Sequence, residues 1–137
     1  MQAALPHLQR IIDLAFNQGD LSIVDELMAA EAVTHLERWG MPANRTGLKL
    51  FITAFRTAFP DLLCQIEGEI YQGDRLAVRW ILRGTHHGPF MGNPPSGKPV
   101  EVLGTIFART LNGLIVEMWI LMDQFELLQQ LGIVPPP

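Results

Sequence analysis

Arg75-Leu76-Ala77-Val78-Arg79-Trp80-Ile81-Leu82-Arg83-Gly84-Thr85-His86-His87 is the stretch on which the fold turns. Side chains alternate along it: Val78, Trp80, Leu82 and His86 fall on one face, Arg79, Ile81, Arg83 and Thr85 on the other. A period of two sends successive side chains to opposite faces of a strand, so residues 75–87 read as one long strand with an apolar face. Residues 62–71 alternate in the same way, with Leu62, Cys64, Ile66 and Ile70 against Gln65, Glu67 and Glu69. Gln72-Gly73-Asp74 joins the two strands as a turn. Downstream, residues 88–98 hold three prolines and three glycines and form a loop. Residues 99–110 and 114–122 follow as strands on either side of the hairpin signal Asn112-Gly113.

Upstream the period is helical. Leu8, Ile11, Ile12, Ala15 and Phe16 predict an amphipathic helix over residues 5–18, stopped by Gly19. Asp20 can cap a second, short helix carrying Leu21, Val24, Leu27 and Met28. Residues 32–37 are a short extended segment holding His35, and residues 38–45 are a loop. Thr46 is read as the cap of a third helix with Leu50, Phe51, Ala54, Phe55 and Ala58 on one face, ended by Pro60-Asp61. After the last strand, Asp123 can open a closing helix over residues 124–131, ended by Gly132, with residues 135–137 a frayed tail. Helices segregated from an antiparallel meander make an α+β fold, here one domain over residues 1–137.

Of the 137 residues, 48% are apolar and 18% charged, which suits a lined cavity or an interface between copies. The net charge is −4 and no two basic residues are adjacent, which argues against nucleic acid and anionic membrane as partners. A single cysteine, Cys64, cannot form an intrachain disulfide, and a reducing, cytoplasmic setting is the expectation. The opening residues lack a basic stretch followed by an apolar run, and no stretch reaches the roughly 20 apolar residues of a spanning helix. The histidines show no metal-site spacing, and no nucleotide-binding or nucleophile-elbow motif is present, so neither metal nor cofactor is expected.

Gly73-Asp74-Arg75-Leu76-Ala77-Val78-Arg79-Trp80, Gly84-Thr85-His86-His87-Gly88 and Gly92-Asn93-Pro94-Pro95-Ser96-Gly97-Lys98-Pro99-Val100 resemble segments of the SnoaL-like polyketide cyclases. So do Phe59-Pro60-Asp61, Gly113-Leu114-Ile115-Val116-Glu117-Met118-Trp119, Asp123-Gln124 and Gln129-Gln130-Leu131-Gly132, in the right order along nearly the whole chain. The resemblance implies the cone of the nuclear-transport-factor-like superfamily: a curved antiparallel sheet with N-terminal helices packed on its concave face, enclosing a pocket. That superfamily includes cyclases, hydroxylases, isomerases, epoxide hydrolases and ester cyclases, so fold alone does not fix function. In the cyclases an aspartate matching Asp123 is the general acid/base of an intramolecular aldol closure that needs no metal or cofactor. A histidine on the strand before the last hairpin is matched here by Arg109.

Asp123 therefore carries two readings. On the last strand it shares a face with Glu117, Trp119 and Leu121, where burial would raise its pKa toward that of a useful base. Alternatively it caps the closing helix, with Glu126 completing the capping box. His86, on the face of Trp80 and Leu82, is the expected helper at a carbonyl oxygen, or a rim histidine bonded to backbone. The resemblance places His35 near the pocket floor; read from its residues alone it is a core histidine fixing a turn. Trp80, Leu82, Trp119, Leu121 and Phe55 are expected to shape and dry a substrate pocket, and Phe90-Met91 to cap its mouth or meet a partner. Arg79, Ile81 and Arg83 on the outer sheet face suit a homodimer. The expected activity is proton transfer α to a carbonyl, as aldol cyclisation or isomerisation, on a small apolar carbonyl-bearing molecule. Hydrolysis or hydroxylation, and a non-catalytic module that binds a ligand or only dimerises, are the alternatives.

Overall fold

The computed structural model describes residues 5–134, so the tail expected at 135–137 lies outside the described residues. Helix α1 (Leu5–Arg10) runs into a π-helical segment (Ile11–Phe16), where the Asn17 N–H donates to the Ile12 carbonyl five residues back. The widened turn still buries Ile11, Ile12, Ala15 and Phe16. Helix α2 (Ser22–Leu27) is shorter than its spacing predicts, because Met28 opens a strand, β1 (Met28–His35), instead of closing the helix. A 3-10 turn (Glu37–Trp39) leads to α3 (Arg45–Ala58). Asn44, not Thr46, is the cap of α3: its side chain accepts the Gly47 N–H at 2.9 Å.

Strands β2 (Leu63–Gln72), β3 (Arg75–Thr85), β4 (Pro99–Leu111) and β5 (Leu114–Met122) follow, then α4 (Gln124–Gln130). Sheet order is β1-β5-β4-β3-β2. The four long strands pair antiparallel as expected, but β1 lies parallel on the free edge of β5, so the curved sheet is mixed. The long path from β1 through α3 and the meander lets the chain return to β1 in the same direction, as a parallel pair requires.

Val78, Trp80 and Leu82 of β3 turn toward the helices and are buried, as their period predicts. In β2 the period breaks: Ile66 pairs with Trp80 but Gly68 pairs with Arg79, so Glu67 is an extra residue. That bulge reverses the parity of the strand, and Ile70, expected on the apolar face, is 72% exposed on the outer one. Trp80 faces Gly104 across the β3–β4 ladder, and its indole covers that glycine so closely that a Cβ there would overlap Cζ2.

Phe51, Phe55 and Phe59 of α3 and its C-terminal end fill the space above the sheet. Among the described residues only Thr34 and His86 are buried polar side chains. Two side-chain amides close stretches of strand edge. Asn17 donates to the Cys64 carbonyl at 2.9 Å and accepts the Cys64 N–H at 2.7 Å. Gln130 of α4 does the same for Glu101, at 2.9 and 2.8 Å. No helix among the described residues is long and apolar enough to cross a membrane.

Candidate functional site: two clefts around Trp39

Trp39 ends a 3-10 turn that Gly40 stops in the left-handed region (φ 75°). Its indole packs edge-on against Phe51 and Phe55, with ring centroids at 5.5 and 5.4 Å, and reaches Phe90 at 6.4 Å. A cleft opens on each side of it. One, of about 410 Å³, is lined by aromatic and apolar residues including Phe51, Phe55, Phe90 and Met91. The other, of about 380 Å³, lies where β1 ends and leaves the β5 edge uncovered; His35, Glu37, Trp119, Leu121 and Gln124 line it. Arg38 and Trp39 belong to both. Between helices and sheet, a void of only about 10 Å³ remains beside Phe51, Trp80, Leu82 and Ile120.

The polar end of the Trp119 cleft is built by strand pairing. His35 closes β1 opposite Trp119, and the two rings stack at 5.1 Å and 10°. His35 Nε2 lies 2.8 Å from Glu117 Oε2, and Arg109, across the β4–β5 ladder, donates to the other Glu117 oxygen at 3.4 Å. The bond from His35, and after it that from Arg109, holds the Glu117 carboxyl below its ordinary range. This group was not legible as a site, because its members look unrelated until β1 is known to pair with β5. Arg109, the position matched to a family histidine, thus serves Glu117 on the outer sheet face.

Asp123 is exposed and caps α4, accepting the Glu126 N–H at 3.2 Å. It follows the outward side of β5, whose inward positions are Met118 and Ile120. The partly dry environment expected beside Trp119 and Leu121 is not found: Leu121 is 60% exposed. His86 is fully buried against Phe59, and its Nδ1 accepts the Ser96 N–H at 3.1 Å. In the neutral ring the proton then sits on Nε2, which has no partner. Asp123 and His86 line neither cleft and are not brought together. Trp80 and Leu82 lie in the filled interior, with the Trp80 indole N–H unpaired. Phe55, Phe90 and Met91 share the Trp39 cleft; Trp119, Leu121 and His35 share the other. His35 is thus at a cleft rim and not on a pocket floor. Cys64 is buried, and burial pushes its thiol up to about 12, as befits a core residue. No group of three metal-ligating side chains converges among the described residues.

A sequence model of the SnoaL-like polyketide cyclases matches residues 6–131. The chain belongs to this family. IdmH from Streptomyces antibioticus, a candidate polyketide cyclase, is 33% identical to this SnoaL-like protein, with 96% of this chain and 99% of that one covered and a TM-score of 0.81. AclR from Streptomyces galilaeus, a candidate hydroxylase, is 26% identical over 97% of this chain and 83% of its own, with a TM-score of 0.83. TsrD from Streptomyces laurentii, at 23% identity, 96% coverage of both chains and a TM-score of 0.86, shares the cone fold. No curated protein matches the chain.

Proposed function

We propose that this SnoaL-like protein receives a small, flat, mostly apolar carbonyl-bearing molecule in the clefts around Trp39. There it moves a proton on the carbon beside the carbonyl, as in aldol ring closure or isomerisation, without a cofactor. The observation that carries this reading is the pair of aromatic-walled clefts meeting at one indole, of about 380 and 410 Å³. Both fall within the size range of small-molecule sites, and flat aromatic walls favour a flat ligand. The likeness to IdmH supports a cyclase-type substrate.

A second reading, binding without turnover, is favoured by Asp123, which caps α4 in solvent outside both clefts. The bicyclic ketone 2-tetralone separates the two. Its binding is read from quenching of tryptophan fluorescence, and its α-proton exchange by NMR in deuterium oxide. Binding with exchange is expected. Binding alone selects the second reading, and saturating 2-tetralone that leaves the fluorescence unchanged removes both.

A further inference from the structure

We infer that His35, oriented by Glu117, is the acid/base group of the Trp119 cleft, and that Arg38 faces the carbonyl oxygen on which charge develops. This rests on the reading that a carbonyl-bearing molecule binds there. Three observations carry it.

The first is orientation. Glu117 is held on both oxygens, by His35 at 2.8 Å and by Arg109 at 3.4 Å, so the carboxylate is fixed and the imidazole is fixed by it. An ionised carboxylate can only accept, so Nε2 carries the ring proton and Nδ1 the free lone pair. A histidine held in one tautomer by a carboxylate is the arrangement that general-base catalysis uses on unrelated folds. The second is availability. Nδ1 has no hydrogen bond; the nearest carboxylate oxygen, on Glu37, is 3.8 Å away. The His35 side chain is 33% exposed and lines the cleft. The third is an unpaired cation. Arg38 lines the same cleft and has no hydrogen-bond or ion-pair partner among the described residues. A base, a cation without a partner and two indole walls in one cleft are the parts an enolisation site needs.

The step balances without a further reactant. Nδ1 takes the proton from the α-carbon; the C–H bond breaks, and its electron pair moves through the new carbon–carbon double bond onto the carbonyl oxygen. Arg38 meets that enolate. The imidazolium then returns the proton, to the same carbon as exchange or to a conjugated carbon as isomerisation. Where a second carbonyl of the same molecule is within reach, the enolate carbon attacks it and the imidazolium protonates the resulting alkoxide.

The test measures 2-tetralone binding and α-proton exchange on the same samples. Wild type is expected to exchange faster than the same concentration of free imidazole. His35→Gln should lose about 100-fold or more of the protein-dependent exchange while its Kd stays within about threefold, since general acid–base groups contribute on the order of 10²–10⁴. Added imidazole should restore exchange to His35→Gly, a result that a purely structural histidine would not give. As a positioning residue, Glu117 should show the same split: Glu117→Gln slows exchange about tenfold with binding intact, and Glu117→Asp recovers part of it. Exchange by folded His35→Gln at the wild-type rate overturns the assignment and leaves the proton-transfer reading standing. Wild type that binds without exchanging overturns the assignment and leaves only binding without turnover. Wild type that does not bind 2-tetralone overturns both.

Discussion

At Asp123 a carboxylate that resembles a catalytic base by sequence position spends its oxygen on the Glu126 N–H, at 3.2 Å. Helix caps of this kind are worth roughly 1 kcal/mol, and asparagine replaces aspartate in them at little cost. Asp123→Ala is therefore expected to lower the unfolding free energy by about 1 kcal/mol, Asp123→Asn to leave it nearly unchanged, and both to keep 2-tetralone binding. Urea titration of the two variants checks the first pair of outcomes, and loss of ligand binding in Asp123→Asn would contradict the last. Asp61 behaves differently. It accepts the Thr85 hydroxyl and the Thr85 N–H, both at 2.7 Å, and these bonds, the hydroxyl first, lower its pKa. A carboxyl depressed in the folded state adds stability above its unfolded pKa of about 3.9, and that stability disappears as the pH falls through the folded value. Asp61→Asn should accordingly flatten the acid side of the stability curve below about pH 4, read from urea midpoints measured at several pH values.

Among the elements, β3 is the easiest to read, because Val78, Trp80 and Leu82 share the inward face against Arg79 and Arg83, with Ile81 alone buried on the other side. Its neighbour β2 misleads at Ile70: a bulge is a property of two strands, and nothing in residues 62–71 alone marks Glu67 as the extra one. The same limit hid the candidate site. His35 and Glu117 are 82 residues apart and meet only because β1 adds in parallel to β5, a pairing that no local period encodes. In the other cleft Phe55 comes from the apolar face of α3, and Phe90 and Met91 from the Gly/Pro-rich loop, so their types and places, though not their meeting, can be read from local sequence. Pairing also explains why β4 carries Gly104. The Trp80 ring and the Leu121 carbonyl, 2.5 Å from where a Cβ would stand, leave no room for one. Gly104→Ala should cost roughly 1–3 kcal/mol through forced movement of a buried indole, accompanied by a change in tryptophan emission. Unchanged stability and emission would show that the ring yields freely.

For the whole molecule, the outer sheet face gathers several exposed apolar side chains. Ile70, Leu103 and Phe107 are exposed on it, and a groove of about 450 Å³ runs past Ile70, Ala77, Arg79 and Phe107. We propose that a second copy covers this groove on β2, β3 and β4 and leaves the Trp119 cleft at the β5 edge open. Light scattering at tens of micromolar should give twice the chain mass, Phe107→Glu should give the chain mass with the fold intact, and a wild-type monomer would rule the pairing out. The two amides that close the strand edges have a different consequence, one of time. Backbone N–H groups on a free edge trade their protons with water quickly, whereas those held in a bond must wait for an opening. Cys64 and Glu101 are held by Asn17 and Gln130, each through a paired donor and acceptor. Their N–H groups should keep hydrogen in deuterium oxide as long as those of the central ladder, and Asn17→Ala should release Cys64 alone, while Gln130→Ala releases Glu101. What holds the rim of this sheet closed is then a pair of side chains, each acting as a clock for one residue.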